Sequence, residues 1–349
     1  MAAVGMVLTA SAQKTEMQMA TLQNGNQTTV YYGQNALVDA YNAAQDTLGV
    51  IILSSGEFNV PTISKSVAIY GAGMEYDDST GIRETYLRGS MSLIPADTKN
   101  EDGQTVKAGR KVNGIHLEGL HIGGDILINN NNNEPIRDLE VVKCECDGIK
   151  YYVSSYNNTI RQNVMRYGGI YSSNYSINSH SIHNNMLITN SWLKYVYFSN
   201  ENTSTAKVDH CIIWSYNNYY SSEPISYTNS IIIAGNNVIP STAHVSHCIF
   251  MNQTSYSGIL GENNWEGLVD QGVWVESTDA SYTESKTFAL KYPDRYIGTD
   301  GTEVGLHGGA YPWNKIPSIP RITECTIDTE NAANGTIKVS IKAEAQTKE

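Results

Sequence analysis

Several features that would assign a membrane or nucleic-acid function are missing from this sequence of 349 residues. No segment offers the ~18 continuous apolar residues of a transmembrane helix. Lysine and arginine number 23 against 35 acidic residues, which gives a formal net charge of −12. A binder of nucleic acid or of anionic lipid needs a basic face. We therefore expect neither partner, and we expect no membrane insertion.

Cysteine and phenylalanine are both scarce. The chain has five cysteines, and no two of them form a C-x-x-C pair, so a zinc or redox centre of that kind is not predicted. There are 4 Phe against 23 Tyr. Because a tyrosine ring can pack its body while its hydroxyl stays in water, this bias indicates aromatic side chains near the surface.

The first residues look like the end of a secretion signal. Residues 2–10 are mostly small and apolar, and Ala10-Ser11-Ala12 before Gln13 has the small-x-small form of a cleavage site. No basic residue precedes this stretch, so a plain N-terminal tail is the alternative. We interpret residues 1–12 as the remnant of a signal peptide, which predicts a secreted, periplasmic or cell-surface protein.

The middle of the chain contains imperfect repeats of roughly 22 residues, each with a short apolar strand. Seven repeats align from the following starts: Leu117, Leu139, Ile160, Ile182, Val208, Tyr227 and Val245. In the last five, the fourth position is Asn, Ser or Cys. A leucine-rich repeat would need several Leu at fixed places and usually a helix in each repeat. Since β-branched and turn-forming residues dominate instead, a β-helix is favoured.

The predicted fold is all-β: a single-stranded right-handed parallel β-helix over residues 30–310. Residues 13–30 are polar and predicted to be extended, and residues 35–45 read as a helix that caps the first end of the β-helix. Residues 95–111 are polar and predicted to leave the body. Residues 311–349 are predicted to form a proline-rich linker and a small C-terminal β appendage, a hairpin with its turn at Asn334-Gly335.

These features resemble the pectin-lyase-like superfamily of β-helices. The resemblance lies in the cap helix, in residues 55–58 (SGEF) after an apolar strand, and in residues 67–73 (VAIYGAG). Residues 298–309 are similar to the tails of uncharacterised secreted β-helix proteins of gut bacteria. The resemblance implies polysaccharide as the ligand class. It does not choose an activity, because this fold hosts lyases, hydrolases, esterases, adhesins and inert stalks.

The superfamily's lyases carry acidic clusters and an Arg or Lys that removes a proton. The nearest counterparts in this sequence are Glu145, Asp147, Lys150 and Arg166. Glu145 and Arg166 occupy the seventh position of adjacent repeats, which predicts an ion pair between neighbouring coils. Calcium needs several converging oxygens, and no third carboxylate joins their column. We therefore expect no cofactor, with Ca²⁺ as the alternative.

Other charged residues and the cysteines have plain structural explanations. Solvated turns account for the adjacent pair Asp77-Asp78 and for Asp300 in the glycine-rich tail. Cys211 and Cys248 share a repeat position two coils apart, which separates them by nearly ~10 Å. That distance is beyond disulfide reach, so both are interpreted as buried thiols.

Tyrosines recur at nearly one angular position of four successive coils. They lie roughly 11 to 13 residues after the repeat starts, at Tyr151, Tyr152, Tyr171, Tyr195, Tyr219 and Tyr220. A row of rings can stack on sugar faces while hydroxyls and Asn amides bond to them; ring stacking inside or over the coil is the alternative.

The sequence thus predicts a secreted carbohydrate-binding or cell-surface protein without catalytic activity, whose partner is a polysaccharide or glycan. Two alternatives stay open. One is a polysaccharide lyase or glycoside hydrolase acting on uronic-acid glycans, and the other is a structural stalk or adhesin.

Overall fold

The computed structural model describes fourteen stretches of the chain. They are residues 18–45, 47–94, 98–99, 105–107, 113–128, 135–172, 182–198, 205–215, 225–234, 243–251, 263–268, 270–276, 281–327 and 339–344. In these stretches most residues with regular structure are in β-strands. The strands stack mainly in parallel sheets, as in a β-helix-like solenoid.

Each coil of the solenoid gives strands to two long sheets and, in the first half, to a third. The strands of the first sheet, in spatial order, are Gln27–Tyr32, Met19–Asn24, Thr47–Leu53, Ser66–Tyr70, His116–Glu118, Glu140–Val142, Thr159–Arg161, Met186–Thr189, Ala206–Asp209, Ile225–Thr228 and His244–Ser246. Those of the second sheet are Gly56–Phe58, Thr85–Leu87, His121–Ile122, Glu145–Cys146, Val164–Met165, Trp192–Leu193, Ile212–Ser215, Ile231–Ala234, Ile249–Met251 and Trp265–Leu268. Those of the third sheet are Met91–Leu93, Ile126–Ile128, Ile149–Tyr151, Ile170–Ser172 and Val196–Tyr197.

The remaining elements are short. A fourth, three-stranded sheet joins Ile136–Arg137, Ser155–Tyr156 and His183–Asn184, and two antiparallel pairs join Thr98–Lys99 with Thr105–Lys107 and Arg321–Ile327 with Val339–Glu344. The helices are Ala36–Ala43, Asp270–Val273 and the 3₁₀ turn Pro293–Arg295. The predicted C-terminal hairpin is confirmed as a strand pair, whereas its Asn334-Gly335 turn lies outside the described residues.

The register of the first sheet is set by its inward residues. These are aliphatic in eight coils and Tyr227 in the other: Ile51, Ile69, Leu117, Val141, Ile160, Ile188, Val208, Tyr227 and Val245. All are at most 2% exposed. A slip of one residue would turn the whole column to solvent, so the apolar pattern fixes the pairing.

Two of the seven aligned repeat starts are wrong. Val141 and Ile188 occupy the positions that the alignment gave to Leu139 and Ile182. Loop lengths differ between coils, and at Ile182 the alignment took the approach to a fourth-sheet strand for the first-sheet strand. Residues 182–184 lead into the fourth sheet instead of the first one.

In the corrected register, the residue three places after each inward residue from Val141 onward is Asn, Ser or Cys, and these buried residues form a ladder inside the solenoid. The Cys144 amide donates to Asn163 Oδ1 at 2.8 Å, and the Asn163 amide donates to Ser191 Oγ at 3.0 Å. Further along, the Cys211 amide donates to Ser230 Oγ at 3.0 Å. The side-chain oxygens of the ladder thus accept hydrogen bonds from buried backbone amides that would otherwise have no partner.

The cysteines of this ladder are buried and unpaired with one another. Cys144, Cys211 and Cys248 are free thiols, as is the neighbouring Cys146. Burial raises the pKa of Cys248 to about 12. The interpretation of Cys211 and Cys248 as buried thiols is confirmed.

The first end of the solenoid is closed by the predicted helix. Ala36–Ala43 packs Leu37 and Tyr41 onto the first strands, and Lys65 Nζ donates to three carbonyls at its C-terminus, including that of Ala44 at 2.8 Å. The sequence missed that Met19–Asn24 and Gln27–Tyr32 form an antiparallel hairpin that extends the first sheet.

Residues 281–320, which we call the C-terminal cover, lie against the solenoid. The second sheet's outward residues become apolar from Val164 onward, and with the cover they form one buried cluster that includes Trp192, Ile212, Ile231, Ile249, Phe288, Leu290, Tyr296, Val304 and Leu306. The cover consists mainly of turns and bends, and it includes residues 311–320 of the predicted linker. Two of the linker prolines lie against the solenoid: the Pro312 carbonyl accepts from Gln162, and the Pro317 ring packs over Gly119.

The cover is also held by one residue at the C-terminal end of the first-sheet strand in each of six coils, taken in reverse chain order. Five of these side chains sit on backbone with positive φ, at Asn229, His210, Asn190, Gln162 and Lys143. They bond, in that order, to Thr299, Asp300, Leu306 with Gly308, Pro312 and Ile316. The sixth, Glu118, accepts from the amide and hydroxyl of Ser318 at 2.6 and 2.9 Å.

Candidate functional site

The outward row of the third sheet carries tyrosines. Lys150, Tyr171 and Tyr197 are direct neighbours in successive coils, and the Tyr195 ring lies 5.8 Å from the Tyr171 ring at 51°. Tyr152 follows the Ile149–Tyr151 strand and is 36% exposed. We call Lys150, Tyr152, Tyr171, Tyr195 and Tyr197 the tyrosine face. The sequence row contained three of these tyrosines and missed Tyr197.

Tyr151 is a correction to the predicted row. Side chains alternate along a strand, so the outward position of Lys150 turns Tyr151 into the core, where it is fully buried. Its hydroxyl accepts a hydrogen bond from Asn158 Nδ2 at 3.2 Å. Tyr219 and Tyr220 lie outside the described residues.

Lys150 gives the tyrosine face a fixed positive charge. Its ammonium lies 2.5 Å from Asp125 Oδ2 and 5.5 Å from the centre of the Tyr171 ring. Burial favours the neutral amine, but hydrogen bonds to Asp125 and Tyr171 outweigh burial and raise the pKa of Lys150. The ammonium is therefore charged at neutral pH and held in place beside the rings.

The four predicted catalytic candidates are not brought together. Lys150 belongs to the third sheet, where its charged partner is Asp125. Glu145 is in the second sheet, and Asp147 lies in the turn between the two sheets, where its amide donates to the Gly124 carbonyl. Only Glu145 and Arg166 meet.

The predicted ion pair between Glu145 and Arg166 is confirmed. Arg166 Nε lies 2.5 Å from Glu145 Oε1, and Nη2 donates to Oε2 at 2.9 Å. Glu145 is directly opposite Val164, so the pair is diagonal, which long side chains can span.

Arg166 also gathers residues that the sequence did not connect with it. Its Nη2 lies 3.1 Å from Glu284 Oε1 and 3.8 Å from Glu75 Oε1. Lys315 Nζ lies 2.6 Å from Glu75 Oε2, and the Tyr282 hydroxyl donates to Glu75. We call Glu75, Glu145, Arg166, Tyr282, Glu284 and Lys315 the Arg166 cluster. Three members come from the cover, more than 110 residues away along the chain, so no local spacing predicted it.

Two side chains in this region have pKa values that differ from their ordinary ones. Burial raises the pKa of Glu145 to about 7 against the attraction of Arg166, and Glu75 and Glu284 act in the same direction as burial. Burial also lowers the pKa of His121, whose Nε2 lies 3.5 Å from Glu145 Oε1. A buried acid and a neutral imidazole thus meet at one edge of the cluster.

His121 opens onto a cleft of about 630 Å³. The cleft is lined by Gln18, Gly56, Glu57, Arg83, Glu84, Tyr86 and His121. The Tyr86 ring meets the His121 ring edge-on at 4.9 Å. The cleft therefore lies on the polar part of the second sheet's outward row, before the part that the cover buries.

A second cleft of about 620 Å³ lies between the cover and the turn that contains Asp77 and Asp78. Asp77 Oδ1 accepts hydrogen bonds from the amide and hydroxyl of Ser79, which agrees with the predicted turn. Asp300 bonds Thr302 and His210, so it has a structural role in holding the cover.

Within the described stretches, no group of three His, Cys, Asp or Glu residues is arranged to hold a metal ion. No helix in those stretches has the length and apolar character needed to cross a membrane. The chain matches no family model, no curated protein and no solved structure.

Proposed function

We propose that this protein binds a polysaccharide along the tyrosine face. The observation that carries the proposal is the outward pair of Tyr171 and Tyr195 rings, 5.8 Å apart, beside the fixed ammonium of Lys150. Aromatic rings stack on the apolar faces of sugars, and the neighbouring charged groups can bond to their hydroxyls. Because coils repeat every ~4.8 Å, a glycan chain can contact several coils at once.

We also propose that the solenoid is a single-stranded right-handed β-helix of the pectin-lyase-like kind and that the protein is secreted. Parallel strands connected in one sheet cross over right-handedly in about 98% of cases, which supports the handedness. The small-x-small site at residues 10–12 supports secretion. Expression of the full chain in a secreting host, with sequencing of the exported N-terminus, tests the second point.

Affinity electrophoresis against a panel of plant and host polysaccharides tests binding. For each polymer that retards the protein, the variant Tyr171→Ala with Tyr195→Ala is compared with Tyr32→Ala. Tyr32 is 62% exposed on the N-terminal hairpin, away from the tyrosine face, so it is the matched control. Loss of two stacking rings costs about 2 kcal/mol, which corresponds to a roughly thirtyfold weaker affinity. Equal retardation of both variants would remove the tyrosine face from the proposal.

A second candidate function rests on the His121 cleft. A carboxyl with a pKa of about 7 next to an imidazole with a lowered pKa is an arrangement that can exchange protons near neutral pH. It supports a lyase or hydrolase acting on uronic-acid glycans, with His121 as the proton acceptor. Such an enzyme releases reducing ends or unsaturated products that absorb in the ultraviolet, and His121→Gln abolishes their release.

A further inference from the structure

The two ends of the C-terminal cover converge on the Arg166 cluster. Tyr282 and Glu284 lie near the first residue of the cover, and Lys315 lies near its last. Between these ends the cover lies on the apolar outward row of the second sheet. The cluster is therefore the place where the solenoid holds both ends of this segment.

Charge does not balance in the cluster. Glu75, Glu145 and Glu284 bring three carboxylates to two cations, Arg166 and Lys315. The Glu75 and Glu145 side chains are 4% exposed, so solvent screens their mutual repulsion weakly. One buried carboxylate is in excess, and protonating it removes the imbalance.

We propose that the Arg166 cluster is a proton-sensitive latch for the C-terminal cover, in which the charge on Glu145 sets how tightly the cover is held. With Glu145 ionised, the Arg166 guanidinium is shared between Glu145 on the solenoid and Glu284 on the cover, and the two carboxylates repel each other. With Glu145 neutral, Arg166 is available to Glu284. The latch is therefore tighter in the protonated state.

The direction of the pH effect follows from linkage. The pKa of Glu145 is raised in the closed state to about 7, and the proposal requires it to fall to the ordinary value of 4.5 when the cover leaves. A group of this kind contributes stability that is present below the ordinary pKa and is lost as the pH rises through 7. For these two values, closure is roughly tenfold more favourable at pH 6 than at pH 8.

Other charged groups also face Glu145 and contribute to the pH dependence. Arg166 opposes its protonation, while Glu75 and Glu284 favour it. His121 has a lowered pKa, so its own protonation destabilises the closed state and works in the opposite direction below pH 6.5. The effect of His121 protonation is also present in Glu145→Gln. Comparing the wild type with this variant therefore isolates the effect of Glu145.

Hydrogen–deuterium exchange at single amides reports closure. The amides of Thr299 and Gly305 in the cover donate to Asn229 at 2.8 Å each. Their protection factors, which are corrected for intrinsic exchange, are measured at pH 6 and pH 8 in the full chain. The ratio of the two values is then compared between the wild type and Glu145→Gln. The amide of Ile160, which lies in a central strand of the first sheet, checks that the solenoid stays folded.

We expect the wild-type ratio to exceed the Glu145→Gln ratio roughly tenfold, with high protection of Glu145→Gln at both pH values. Glu266→Gln, an exposed carboxylate on the last strand of the second sheet, keeps the wild-type ratio. If Glu145→Gln does not fold, Glu284→Gln takes its place. It removes the partner on the cover and lowers protection most at pH 6. Equal ratios in the wild type and Glu145→Gln, or unchanged protection in Glu284→Gln, would overturn the latch.

Discussion

The ring of His210 packs against the backbone of Gly308 so closely that no side chain fits between them. A β-carbon built on Gly308 would come within 2.7 Å of two ring atoms of His210 and within 1.7 Å of the Glu303 carbonyl oxygen. His210 Nε2 is fixed from the other side by Asp300 at 3.1 Å. The cover therefore requires a glycine where it crosses this coil.

Gly308→Ala should loosen the cover. His210 cannot retreat without losing its bond to Asp300, and the Glu303 carbonyl is part of the backbone, so the substitution costs about 1–3 kcal/mol of unfolding free energy. Urea unfolding followed by tryptophan fluorescence measures it. Gly272→Ala is the matched control, since a β-carbon there meets nothing within 4 Å. A Gly308→Ala midpoint equal to that of the control would contradict the packing.

Asn163→Ala should be one of the more costly polar substitutions. Asn163 is fully buried, accepts from the Cys144 amide and donates to the Val141 carbonyl at 2.8 Å. Alanine leaves both groups buried without a partner, at about 1–3 kcal/mol each. Thermal unfolding should show a clear fall in the melting temperature. Asn42→Ala, on the exposed side of the cap helix, should change it little.

His116 should make the first sheet more stable in acid than in base. Burial opposes its charge, but hydrogen bonds to Glu118 and Glu140 outweigh burial and raise the pKa of His116. A raised pKa gives stability that is complete below the unfolded value of 6.5 and is lost as the pH rises through the folded value. Urea midpoints of the wild type and His116→Gln from pH 6 to pH 9 should converge at the alkaline end. A constant difference would show that the imidazolium has no role.

The four buried thiols should resist modification in the native protein. Cys144, Cys146, Cys211 and Cys248 are at most 3% exposed, and burial raises their pKa values, to about 12 for Cys144. The thiolate is the reactive form. Labelling with a thiol reagent, followed by peptide mapping, should leave these four unmodified until denaturant is added. Rapid labelling of any of them in buffer would contradict the ladder.

The sequence predicted the stacking of coils because the inward position of the first sheet is apolar in every coil. Ile160 and Val208, for example, mark their strands correctly, because each is the apolar inward residue of a first-sheet strand. The alignment failed at Leu139 and Ile182 because loop length varies between coils and the fourth sheet adds a strand. The pattern of apolar residues in the aligned repeats does not show where an extra strand is inserted.

The candidate sites were predicted less well, for a different reason. A one-residue error is enough to reverse the direction of a side chain in a strand, and this separated the buried Tyr151 from the outward Lys150. The Arg166 cluster could not be found at all, because Glu284 and Lys315 reach Arg166 across the fold. The one signal in the sequence was the presence of apolar residues between Glu284 and Lys315, such as Phe288 and Leu290. Apolar side chains of this size need a surface on which to be buried.

The bond between Glu118 and Ser318 joins residues 200 positions apart. In a plain stack of repeats each coil contacts only its neighbours, and coils can fray one after another from either end. Here a single segment crosses the six coils from Glu118 to Asn229 in the opposite direction, and it follows all six of them in the chain. These six coils share one fastening, so we expect them to gain and lose structure together rather than one after another.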